Sequence, residues 1–104
     1  MFSLYIMVKV VFSKSSNPKK KMTAIFYKDG KKIKTTHFGA SGYDDYTKTK
    51  DKKQRTRYIN RHTNSKENHN DYKSAGSLSR YVLWGNSTSI QSNIRSFKNR
   101  FNLT

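Results

Sequence analysis

Asp29-Gly30 separates two alternating runs, Met22–Tyr27 and Lys31–Phe38, and this arrangement constrains the fold more than any other stretch of the chain. An Asp-Gly pair accepts two consecutive positive φ angles at low cost. A type I′ turn requires them, and its twist matches that of the strands it joins. With those two residues as the loop, Phe26 is predicted opposite Ile33, Ala24 opposite Thr35 and Met22 opposite His37, on one inward face. Tyr27, Lys21, Lys32 and Lys34 then fall together on the other face, which is expected to be wet and basic. Lysines on an open sheet also suppress edge pairing, so that face has a structural explanation beside any functional one.

A third strand precedes the hairpin. Leu4, Ile6, Val8, Val10 and Phe12 alternate with Tyr5, Met7, Lys9 and Val11, a period of two with apolar groups on both faces, which predicts a central or well-covered strand. Lys9 interrupts the run, no basic segment leads into it and no small-residue cleavage site follows, so it does not read as a secretion signal. It is also well short of the roughly 20 apolar residues that span a bilayer. The expectation is a protein that is neither secreted nor membrane-spanning. Lys14–Lys21 is a polar, basic loop, and residues 1–38 form the strand-rich part of a single domain.

Residues 39–50 read as a loop rich in Gly, Tyr and Asp. Gly39 and Gly42 mark a turn with unusual φ angles or a close backbone approach, and Tyr43-Asp44-Asp45-Tyr46-Thr47 follows as a polar aromatic stretch. Residues 51–104 are helical. A helix opens at Lys50 or Asp51 and runs to Arg61 or His62, with Asp51 placed four residues from Arg55 for an ion pair. Arg55, Tyr58, Ile59 and His62 share one face, and Lys53, Arg57 and Arg61 form a basic stripe beside it. A short helix spans Ser77–Trp84, capped by Ser74 or Ser77, and Gly85 stops it. Ser87, Thr88 or Ser89 caps the last helix, whose Ile90, Ile94, Phe97 and Phe101 form an amphipathic stripe for packing on the sheet. The predicted fold class is α+β: a three-stranded antiparallel sheet, one strand plus the Asp-Gly hairpin, followed by two or three helices on one face.

Charge then narrows the function. Twenty-two Lys and Arg stand against six acids, a net charge of +16 in 104 residues. A compact domain with that imbalance repels itself and is best stabilised by something negative against it. The absence of cysteine removes disulfides, thiolate zinc sites and cysteine nucleophiles together. Aromatic residues make up 13% of the chain, enough large side chains to build a core despite the low apolar content.

The run HFGASGYDDYT (His37–Thr47), then D-x-x-x-R-x-R-Y-x-x-R-H (Asp51–His62), then SAGSLSRYVLW (Ser74–Trp84), resembles a family of small basic proteins encoded by large nucleocytoplasmic DNA viruses of the mimivirus and phycodnavirus kind. The likeness covers about the last two thirds of the chain, and its motif positions include His37, Gly39, Asp45, Asp51, Arg55, Tyr58, Arg61, His62 and Trp84. That family carries no established activity. The resemblance therefore implies a viral origin and a shared fold, with the virion, the viral factory or the host nucleus or cytoplasm as the expected location.

Catalysis is not expected. Asp45 with His62, or His37 with Asp51, would converge only if the loops fold back. A metal triad of His62, Glu67 and His69 fits no zinc spacing, and a small metal-dependent nuclease is only the third reading, because few acids are available to hold magnesium. No cofactor and no metal site is predicted. Asp51, Tyr58, Ile59 and His62 read as structural. The cations Lys19, Lys20, Lys21, Lys32, Lys34, Lys48, Lys50, Lys52, Lys53, Arg57 and Arg61 are the expected contacts to nucleic acid, DNA ahead of RNA. Tyr43 and Tyr46, and beyond them Tyr27, are candidates for stacking on bases. Low-specificity, architectural or packaging binding is the leading expectation. The alternative is a non-catalytic virion component docking on acidic capsid proteins.

Overall fold

The computed structural model describes residues 7–63 and 70–104. Three strands, β1 (Val8–Lys14), β2 (Lys20–Lys28) and β3 (Lys31–Ala40), form one antiparallel sheet in the order β1-β2-β3. A single helical turn α1 (Tyr46–Thr49) leads to α2 (Lys52–Thr63); a second turn α3 (Ala75–Leu78) runs into a π-helical segment, Ser79–Leu83, and α4 (Ile90–Phe101) follows. This is the expected α+β architecture. Of the predicted first strand, Leu4, Tyr5 and Ile6 lie outside the described residues.

Asp29 and Gly30 take φ angles of 57° and 76°, the paired positive values that a type I′ turn needs. The register beyond the turn differs from the one predicted. Lys28 pairs with Lys31 and Tyr27 with Lys32, but a β-bulge between Phe26 and Tyr27 then leaves Ile33 over, so Phe26 opposes Lys34, Ala24 opposes Thr36 and Met22 opposes Phe38. One extra residue turns every later side chain of β3 to the opposite face. His37, expected inward, therefore joins Thr23 on the outer face, and Phe38 takes its place in the core. Lys34 lies on the face opposite Lys32, so the predicted basic face holding both does not form.

β1 is an edge strand and not a central one. Its inner residue Val10 is buried, whereas Met7 and Val11 alternate onto the outer face and are 41% and 40% exposed. Its free edge is partly satisfied from Leu103-Thr104: Val10 N donates to Thr104 O and Thr104 N donates to Val8 O, each at 3.0 Å, in the pattern of a parallel β-bridge.

The helices cover the inner face. Val10, Ala24, Phe26 and Phe38 of the sheet are buried with Tyr46, Tyr58, Leu78, Val82, Leu83, Trp84, Phe97 and Leu103. Phe12 meets Phe97 and Phe38 edge to face at 5.9 and 6.3 Å, which brings the apolar stripe of α4 to β1 as its spacing implied. The helix N-termini follow local chemistry. Asp45, Ser74 and Ser89 cap α1, α3 and α4 through side-chain oxygens, and Asp51 Oδ1 accepts from Lys53 N and Gln54 N at 3.0 and 3.2 Å at the start of α2. That role uses the Asp51 carboxylate locally, so the predicted Asp51–Arg55 ion pair is replaced by a cap.

Gly39 joins the sheet to the loop with φ 77°, and a Cβ there would sit 2.6 Å from Leu83 Cδ1. Gly39→Ala is expected to cost about 2–4 kcal/mol, combining left-handed strain with overpacking. Gly42→Ala meets nothing within 4 Å at φ 84° and carries only the strain, about 1–2 kcal/mol. Urea unfolding of both variants checks the ordering; equal losses would mean that Leu83 yields.

Candidate nucleic-acid interface

The positioning starts at Asp45, 4% exposed. Its Oδ1 accepts from Thr47 N, Lys48 N and Thr47 Oγ1 at 2.9, 3.2 and 2.5 Å, and its Oδ2 takes Lys21 Nζ at 2.5 Å. The motif aspartate thus closes α1 and ties it to β2. Residues 46–49, expected as loop, become helical because this carboxylate satisfies the first amide donors of the turn. Tyr46, predicted to stack on bases, is 5% exposed, with the Arg55 guanidinium 5.6 Å from its ring centre. It is a core residue and offers no open face.

Arg55 is a structural tie. Its Nε donates to Trp84 O and Gly85 O at 3.2 and 2.8 Å and its Nη2 to Asn86 Oδ1 at 2.8 Å. These bonds, with Arg80 Nη1 to Trp84 O at 3.2 Å, satisfy carbonyls where the π-helical segment ends. Burial first, and the Arg55 charge next, lower the pKa of Arg80 from its ordinary value. Arg55 and Trp84 of the motif therefore hold α2 against the following segment. Spacing alone did not single out Arg80: its partner carbonyl lies only four residues on, but the burial and the neighbouring Arg55 charge come from the fold.

A cleft of about 500 Å³ opens between the end of the sheet and α2. Lys21, Gly39 and Tyr43 line one side, and Arg57, Arg61 and His62 the other, with Tyr58 and Trp84 also in its wall. Tyr58 stacks on Trp84 at 4.2 Å and 6° and on His62 at 4.0 Å, an aromatic ladder along the helix side of the cleft. Seven motif positions meet around this opening: Gly39, Asp45, Tyr58, Arg61, His62 and Trp84 in the lining itself, and Arg55 behind it. Asp45 and His62 do come to one cleft, but the hydrogen bonds of Asp45 are already committed. His37 lies elsewhere, its Nδ1 2.9 Å from Ser15 Oγ and 2.7 Å from Thr23 Oγ1. Among the described residues no three His, Asp or Glu side chains cluster to hold a metal; Glu67 and His69 of the weighed triad lie outside them.

The cations divide into groups. Lys53, Arg57 and Arg61 are all exposed at i, i+4 and i+8 of α2, one stripe whose Arg57 and Arg61 line the cleft, and none pairs with a described acid. Lys52 is also exposed but projects about a quarter turn away. Lys50, exposed, adopts φ 58° at the end of α1, and Lys48 makes a loose surface pair with Asp44 at 3.7 Å. Lys19 and the half-buried Lys20 sit beside the Gly39–Tyr43 turn, where Ser41 N donates to Lys19 O at 2.9 Å. Tyr43 on that turn is 72% exposed. Lys32 and Lys34 belong to the two faces of the distant hairpin, and Lys21 is neutralised by Asp45.

Fold and cleft together define a small basic α+β domain whose cations border an aromatic-walled opening. Residues 10–62, half of the chain, match the model of a family of unknown function (DUF5754), and the chain belongs to that family. The match runs from β1 through His62 and so contains the sheet, the Gly39–Tyr43 turn and the α2 stripe. No curated protein and no solved structure matches the chain.

Proposed function

We propose that this protein binds nucleic acid without catalysis and with low sequence specificity, in an architectural or packaging role, with DNA ahead of RNA. The observation that carries the reading is the Lys53–Arg57–Arg61 stripe: three exposed cations in line, free of ion pairs to described acids, beside a cleft that also holds the exposed Tyr43. Such a row engages successive phosphates and releases condensed counterions, an interaction that no base sequence alters. The non-catalytic part is supported by the engagement of both Asp45 oxygens in capping α1 and pairing with Lys21. A virion or viral-factory setting follows from the resemblance to giant-virus proteins and is proposed with it.

The test is a salt titration on fluorescent duplex DNA. Affinity is expected to fall steeply with salt, and Lys53→Gln/Arg57→Gln/Arg61→Gln to lower the log–log slope by about 2–3 and to weaken binding at least tenfold near 100 mM salt. Unchanged slope and affinity in a variant with native circular dichroism would remove the stripe from the interface.

The second reading, a structural virion protein docking on acidic partners, draws on a specific observation: Met7, Val11 and Ile33 are 41%, 40% and 46% exposed, apolar surface of the kind protein contacts use. No helix among the described residues is long and apolar enough to cross a membrane.

A further inference from the structure

The outer face of the sheet carries a second, differently built surface. The pairing aligns three cross-strand rows on it: Lys9–Tyr27–Lys32, Val11–Ile25–Thr35 and Ser13–Thr23–His37. The core helices pack on the other face. In the first row a half-buried aromatic residue on the central strand has an exposed lysine on each side, and in the second Ile25 is half-buried beside exposed Val11 and Thr35.

The Asp29-Gly30 turn sets the Tyr27–Lys32 pair of the first row, and the bulge keeps that pair while shifting the rest of β3. Had β3 continued in the register of Phe26 and Lys34, Ile33 would stand beside Tyr27 and Lys32 would fall on the inner face. The extra residue keeps Lys32 at the Tyr27 position while leaving Thr36 and Phe38 in the core. Beside the ring is an open hollow of about 330 Å³, lined by Met7, Lys9, Val11, Tyr27, Asp29 and Gly30. Gly30 adds no side chain to it, and a Cβ there would have no neighbour within 4 Å. Asp29 is its one acid.

We infer that this face is a platform for single-stranded nucleic acid, in which an unpaired base stacks on Tyr27 and the phosphates to either side meet Lys9 and Lys32. The inference rests on the nucleic-acid reading and deepens it. The choice of occupant follows from charge complementarity. In a chain of net charge +16 a second copy would be repelled, and lysines on both sides of the ring call for an anion with a flat apolar unit between its charges. Single strands present that alternation of base and phosphate, whereas a duplex hides its bases in the stack and shows the face only phosphates. Val11 and Ile25 supply apolar contact for the neighbouring base or sugar.

The experiment compares fluorescence anisotropy of the full chain on a ten-nucleotide oligothymidine and on a twelve-base-pair duplex. Tyr27→Ala is expected to weaken single-strand binding at least about fivefold, and toward a hundredfold at most, with duplex affinity unchanged. Tyr27→Phe, which keeps the ring and the packing, retains single-strand affinity, and Lys9→Gln/Lys32→Gln lowers the single-strand salt slope by about 1–2. Iodouracil in the oligonucleotide is expected to crosslink to Tyr27. Loss of single-strand affinity in both Tyr27 variants, no loss in either, or an equal loss on duplex overturns the platform. If the α2 triple variant still weakens both probes in that case, nucleic-acid binding stands and only the platform falls. Binding of neither probe at low salt removes both. Self-association that Val11→Ser abolishes, with single-strand affinity intact in Tyr27→Ala, assigns the face to protein contact and overturns the platform as well.

Discussion

Changing Asp45 to alanine is expected to lower the unfolding free energy by about 3–5 kcal/mol, a large share of the roughly 5–15 kcal/mol of a typical domain. The carboxylate is 4% exposed and holds four donors. Its removal strands the Thr47 amide at the start of α1, where Lys48 N keeps the backbone carbonyl of residue 45, and the Lys21 ammonium, whose side chain is 21% exposed. Leaving one member of a buried pair alone is what makes such a change costly, more than loss of the attraction itself. Two further variants separate the contributions. Asp45→Asn keeps an acceptor for the cap and loses only the ion pair, so it is expected to fall well short of the alanine loss. Adding Lys21→Met to Asp45→Ala removes the stranded charge and is expected to recover part of the stability. Urea unfolding with an unchanged m value provides the measurement. A loss below about 1 kcal/mol for Asp45→Ala would show that the pair is solvated and that the cap dispensable.

Asn93→Leu is the second large effect. Asn93 is 2% exposed; its Nδ2 donates to Val82 O and Ser87 O at 2.9 and 2.8 Å, and its Oδ1 accepts from Ser87 N at 3.0 Å. One amide thus satisfies three backbone groups where the π-helical segment turns into α4. Gly85 lies against it: a Cβ at residue 85 would fall 2.6 Å from Asn93 Cγ and closer still to Tyr81 O. Leucine keeps the branched shape at a larger volume and removes every bond, so the main cost is desolvation without a partner, about 1–3 kcal/mol for each group left unpaired and about 3–5 kcal/mol in all. For a domain of this size that corresponds to a fall in Tm of roughly 12 °C or more. A shift under about 4 °C in a calorimetric scan would mean that water replaces the amide.

Asn93 also shows where reading along the chain stops. On the sequence it is one polar position between Ile90 and Ile94, and nothing nearby in the chain marks it as the anchor of Val82 and Ser87. Arg55 behaves in the same way: its spacing from Asp51 suggested a pair along the helix, while its actual partners are carbonyls 29 and 30 residues further on. Tyr46 looked like an exposed aromatic in a polar loop and is instead buried beneath Arg55.

Local chemistry determined the rest. The Asp29-Gly30 turn, the alternation of Val8, Val10 and Phe12, the stripe of Ile90, Ile94, Phe97 and Phe101, and the cap residues Ser74 and Ser89 each act within a few residues of themselves, and all are legible in order along the chain. So is the Lys53–Arg57–Arg61 stripe, since helical periodicity alone aligns it. The bulge, the edge position of β1, the cleft and the place of Lys9 beside the Tyr27–Lys32 pair were decided only by tertiary structure. Each depends on which of two nearly equivalent registers or partners packs the core better, and that choice is made by contacts between residues far apart in sequence: Phe38 rather than His37 against the helices, Leu83 against Gly39, and Asp45 against Lys21.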